Sequence, residues 1–212
     1  MKGLLIKDIR MLRQQRMVLI LMVVFSILMG LSLEGSVLPG YLSMMAGITA
    51  IGTLSYDEAD NGFPFLFTLP VDCKTYVREK YIFCIGVLLT GTALGIVLEF
   101  ILKFVTGGEF GKLAESAIIP IVMVLMIAAM VPLQLKFGVE RSRVILMMLY
   151  GGVAVCAFLV SKVLSDTQVP AFILAIDKAS PVLVVGCITA VVAVLTFLSY
   201  LGSVRIMESK EF

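Results

Sequence analysis

The chain has no histidine and no tryptophan among its 212 residues, and only 15% of them are charged. Without histidine there is no imidazole to act as acid or base. Ser-His-Asp triads, Cys-His dyads and His-ligated metal centres are therefore excluded. The four cysteines, Cys73, Cys84, Cys156 and Cys187, form no C-x-x-C pair, which excludes zinc-ribbon and thioredoxin-type redox sites. Three of them sit in apolar runs, where cysteine behaves as a small hydrophobe. A net charge of +2 is too small and too dispersed to hold a nucleic acid. The phosphate-cradling pattern G-x-x-x-x-G-K-[ST] is missing as well, since the Lys74-Thr75 pair follows Cys73 rather than glycine. ATP-driven work would need a second polypeptide.

What is present is apolar surface. At 60% hydrophobic residues the chain exceeds what a soluble domain can bury, and lipid must solvate it. A membrane-spanning helix needs about 20 mostly apolar residues. Six stretches fit or nearly fit: Met17–Leu33, Val37–Ser55, Tyr81–Leu102, Ala117–Leu135, Val144–Val160 and Val182–Val204. The second is diluted by Gly40, Ser43, Gly47, Thr49, Gly52 and Thr53, so it is expected to pack against protein rather than lipid. The first lacks a small-residue cleavage site and is expected to be retained rather than removed as a signal peptide. Only four of the 17 Lys and Arg, namely Lys103, Lys112, Lys162 and Lys178, fall on one side of these spans. The positive-inside rule then places both termini in the cytoplasm. The expected fold is all-α: a polytopic membrane protein forming one membrane domain over 1–212, with spans one and two in 17–55, an inner connection in 56–80, spans three to six in 81–204 and a tail in 205–212. The outer connections are too short to build a core of their own.

In 1–16, Leu5, Ile9 and Leu12 fall on one helical face and Lys7, Arg10, Arg13 and Gln14 on another. This predicts an amphipathic helix in the headgroup layer, compatible with a simple topology-fixing flank. The inner connection opens with Asp57, Glu58 and Asp60 and continues through the apolar run Phe63-Pro64-Phe65-Leu66-Phe67-Thr68-Leu69-Pro70-Val71. Pro64 suits the first turn of a short helix and Pro70 its end, with Asp72 capping the next helix through Cys73–Lys80 into span three. Exposed aromatics so placed mark a partner site, or a segment dipping into lipid. The residues alone leave both open.

Glu58-x-x-x-Gly62, Leu66-x-Thr68-Leu69-Pro70-Val71-x-x-Lys74 and Val77-x-x-Lys80 resemble the signature of type 2 ABC transporter permeases between their second and third spans. The opening Lys2-Gly3-Leu4-Leu5-Ile6-Lys7-Asp8 and Pro132-Leu133-Gln134-Leu135-Lys136-Phe137-Gly138 also look like the small-permease branch of that family. Phe63-Pro64 stands where Thr-Leu is usual, and Asp72 where Ser is common. The resemblance implies a coupling helix built on Glu58, Gly62, Phe63, Phe65, Leu66, Phe67, Thr68, Leu69 and Pro70, docking into a separate ABC ATPase. It implies two ATPase copies, a second permease subunit forming a homodimer, and ATP and magnesium held by the partner, with no cofactor on this chain and no chemistry of its own. It implies residence in a bacterial plasma membrane. It also suggests export of an amphipathic or hydrophobic substrate, by analogy with exporters of antimicrobial peptides and phenol-soluble modulins.

Within the spans, Gly91, Gly95 and Glu99 share one helical face and are candidates for a pathway or for close helix packing. Glu99 can equally pair with Lys103 near the outer surface. Met123, Met126 and Met130 share a face that suits either an adaptable cavity or plain membrane packing. Pro120 and Pro132 bracket span four and are expected to kink it or mark its ends. Gly138–Arg143 reads as a charged turn, either a second ATPase contact or a topology anchor. A stand-alone carrier or channel is the alternative, but it calls for midplane polar groups in matched broken helices. An embedded enzyme lacks its acidic pair.

Overall fold

Long apolar stretches set the secondary structure. In the computed structural model the described residues are 2–32, 38–58, 72–107, 113–165 and 181–209, and among them every regular element is α-helical. The helices are α1 (Lys2–Gln14), α2 (Arg16–Ser32), α3 (Leu38–Glu58), α4 (Cys73–Thr106), α5 (Leu113–Phe137), α6 (Val139–Ser165) and α7 (Pro181–Glu208). The expected spans fall on α2 to α7, apart from Leu33 and Val37, which lie outside the described residues. Among the described residues, three helical stretches, Cys73–Val105, Ala117–Phe137 and Leu183–Glu208, are long and apolar enough to cross a membrane, and α1 with α2 makes a fourth if that pair, bent by 65°, is taken as one span.

The core lies where α1, α3, α4, α5 and α7 meet, around Leu54, Tyr76, Val77, Leu88, Ile127, Leu135 and Met207. Helix α3 is its central member, touching α1, α2, α4 and α5. Its small residues make this possible. Gly40 admits the Ile119 side chain and Gly47 the Met123 side chain. Its hydroxyls cost little to bury, because Ser43, Thr49 and Thr53 donate to carbonyls one turn back. The opposite face of Gly91 and Gly95 on α4 is equally close: a Cβ on Gly91 would meet Leu42 O at 3.0 Å, and one on Gly95 would meet Leu38 O at 3.0 Å.

Helix α7 is stitched in by hydroxyls. Tyr81 Oη of α4 lies 2.7 Å from Ser199 Oγ and 3.0 Å from Ser203 Oγ, and Ser199 donates to the Ala128 carbonyl of α5. The Tyr81 and Tyr200 rings add an edge-on contact with centroids 5.7 Å apart. Outward, α7 presents Leu183, Val191, Val194, Phe197 and Leu198, and α6 presents Met147 and Met148, as an apolar surface that water cannot solvate cheaply.

Several local expectations change. Pro120 and Pro132 both lie inside α5, which extends beyond each of them, so neither marks its end. The expected turn over Gly138–Arg143 reduces to Gly138 alone, whose φ of 82° ends α5 while its amide donates to Gln134 O at 2.9 Å. Asp72 does occupy the N-cap of α4 with extended backbone angles, but its side chain makes no capping hydrogen bond. In α1, Leu5 and Leu12 pack against the core, whereas Ile9 is 57% exposed. The buried face runs instead through Leu4 and Asp8. The reason is a charge that α1 must bring inward.

Candidate functional site

The two ends of the connection between α3 and α4 converge on a buried ion cluster. Asp57 stands in the last turn of α3, and Tyr76, Glu79 and Lys80 in the first turns of α4. Lys7 and Asp8 reach them from α1. Lys80 Nζ lies 2.7 Å from Asp57 Oδ2 and is also paired and hydrogen-bonded to Asp8. Lys7 donates to Asp57 on its outer side and lies 3.4 Å from Asp8 Oδ1. Tyr76 Oη donates to Asp57 Oδ2 at 3.0 Å, and the Lys80 ammonium sits 5.6 Å from the centre of the Tyr76 ring.

Asp8, Asp57, Tyr76, Glu79 and Lys80 are all buried, while Lys7 is partly open. Two lysines against two aspartates balance, as burial requires, because an isolated ion in this setting would cost several kcal/mol. Glu79 is the exception. It is fully buried, and neither carboxylate oxygen has a hydrogen-bond partner among the described residues. The elbow above the cluster is pinned separately: Gln15, between α1 and α2, donates to Tyr56 Oη at 3.1 Å.

Such a joint has mechanical rather than catalytic character. It ties the last turn of α3 and the first turns of α4 to each other and both to α1. Nothing in it resembles a nucleophile–base pair, and no group of metal-ligating side chains occurs among the described residues.

Of the residues singled out from the sequence, Glu58 ends α3 with its carboxylate set against Gly138. Together with Ser55, Phe137, Glu140, Arg141 and Arg143 they line an open cleft of about 500 Å³. Gly62, Phe63, Phe65, Leu66, Phe67, Thr68, Leu69 and Pro70 lie outside the described residues, as does Asp60. Gly91 and Gly95 face α3 at its start, remote from the cluster. Glu99 is buried on the same helix, and its Oε1 forms an ion pair with Lys103 Nζ at 2.8 Å. Lys7, Asp8, Asp57, Tyr76 and Glu79 were not identified as a site from the sequence. The available signal was an aspartate on the Leu4–Asp8 stripe of an otherwise basic helix.

The model of the family described as ABC-2 family transporter protein matches residues 3–208, nearly the whole chain, and the chain belongs to that family. No curated protein and no solved structure matches it.

Proposed function

We propose that this ABC-2 family chain is the transmembrane subunit of an ATP-driven exporter and that the 56–80 connection is its coupling segment. Membership makes it a multi-pass membrane protein of an ABC transporter, working with an ABC ATPase. The finer reading has six spans, α2 to α7, with both termini cytoplasmic and α1 in the headgroup layer. Two copies face each other, and each docks one ATPase through Phe63–Pro70. ATP and magnesium belong to the partner.

The observation that carries this reading is the bond between Asp57 and Lys80, which closes the base of the connection and fastens it to Asp8 of α1. When the ATPases close on ATP, a push on 59–71 reaches α3, α4 and α1 as one body. A rigid-body shift between two packed arrangements then changes access across the membrane. The apolar spans suit an amphipathic or hydrophobic substrate, with a peptide as the leading candidate.

The test is purification of the tagged chain from its native membrane, with wild type and Phe65→Asp compared. A stoichiometric ATPase that accompanies wild type and is lost from a folded Phe65→Asp variant supports the reading. A chain that emerges alone, and stays alone with ATP and magnesium, returns the weight to a carrier or channel.

A further inference from the structure

Arg10, Arg13 and Arg16 surround the elbow where α1 gives way to α2, and with Gln14 they line an open cleft of about 540 Å³. None of the three has a carboxylate partner among the described residues, unlike Lys7, three residues before Arg10 on the same helix. Asp8 and Asp57 are committed to Lys7 and Lys80 in the interior. The 65° bend brings the three guanidinium groups to the point where the chain turns into its first apolar run.

Apolar side chains are interleaved with these cations. Ile6 and Ile9 are exposed beside Arg10 and Arg13, and Met17, next to Arg16, is 76% exposed. We propose that this elbow is a binding site for the headgroup of an anionic phospholipid. The phosphate accepts from the arginine forks while Ile6, Ile9 and Met17 enter the acyl boundary. An acidic protein segment would satisfy the guanidiniums but leave the isoleucines and Met17 in water. The lipid satisfies both. This assignment needs the chain to be a membrane protein and nothing about its transport direction or substrate.

The experiment is native mass spectrometry of the purified full-length chain with palmitoyl-oleoyl phosphatidylglycerol and with palmitoyl-oleoyl phosphatidylcholine. Wild type is expected to hold phosphatidylglycerol about a hundredfold more tightly than the triple variant Arg10→Gln, Arg13→Gln, Arg16→Gln, from about 1 kcal/mol per basic residue near the surface. Phosphatidylcholine should not distinguish the two. A triple lysine variant keeps the charge, and it should retain binding within about tenfold of wild type. Equal affinity of wild type and the glutamine variant for phosphatidylglycerol overturns the proposal. So does displacement of the lipid by an equimolar amount of soluble glycerol phosphate, which would make the cleft a free phosphate-ester site. Loss of the ATPase in the glutamine variant with lipid binding unchanged would overturn it in favour of a protein contact.

Discussion

Lys80 Nζ lies 2.7 Å from Asp57 Oδ2, in a setting where the lysine side chain is 1% exposed. The pair joins the last turn of α3 to the start of α4, at the two ends of the 59–71 connection. Asp8 completes it from a third helix. The consequences are open to direct test.

Removing the cation alone should be severe. Lys80→Met leaves Asp8 and Asp57 buried with only Lys7 beside them, at a cost of about 3–5 kcal/mol. Thermal unfolding in detergent should show a marked loss for Lys80→Met. Adding Asp8→Asn to Lys80→Met should recover much of it, because the surplus negative charge is then gone. A double variant as unstable as the single one would deny that the cluster is held by charge balance.

Weakening the joint without removing its lysine should separate ATP hydrolysis from transport. Asp57→Asn keeps the shape and the Tyr76 neighbourhood but loses the ion pairs with Lys7 and Lys80. The reconstituted complex should still bind its ATPase and hydrolyse ATP, with transport down about tenfold, the size of coupling changes seen along packed networks. Loss of the ATPase itself would place Asp57 in the docking surface instead.

The α3–α4 contact should discriminate sharply among glycines of one helix. A methyl at Gly95 meets Leu38 O at 3.0 Å and the Pro39 backbone, which cannot give way, whereas one at Gly86 meets nothing within 4 Å. Gly95→Ala should lose about 1–3 kcal/mol in thermal unfolding, and Gly86→Ala should be neutral or gain up to about 1 kcal/mol. Equal effects would mean that the two helices are not in this register.

Gly138 should resist substitution for two reasons. Its φ is 82°, where an L side chain is strained, and the Glu58 carboxylate occupies the space a Cβ would take. Gly138→Ala should cost about 1–2 kcal/mol from the backbone alone. The clash with Glu58 adds to this, and Glu58→Ala should relieve that added part by emptying the space, a coupling that a double-mutant cycle reads directly. Strict additivity would show that the carboxylate moves aside freely.

The amino-acid order by itself determined the helices that apolar length and spacing control. The continuous run from Cys73 through span three is one helix, and the small-residue stretch of α3 packs inside the bundle rather than facing lipid. Both follow from local chemistry: backbone groups in an apolar setting must bond within their own segment, and glycine and hydroxyl side chains permit close approach. Pro120 and Pro132 do not end α5, because prolines that break soluble helices are tolerated when neighbouring helices hold the chain, and only Gly138 of the expected Gly138–Arg143 turn lies outside a helix. The ion cluster was decided by tertiary structure alone. Asp8 and Lys80 are 72 positions apart, and Lys7 and Asp57 are 50. Periodicity identifies a buried face by its apolar residues, so it assigned Lys7 to a solvated face and Asp57 to an acidic loop. A charge goes inside only when another element supplies its counter-charge, and that supply is a property of the packed bundle rather than of any local run of residues.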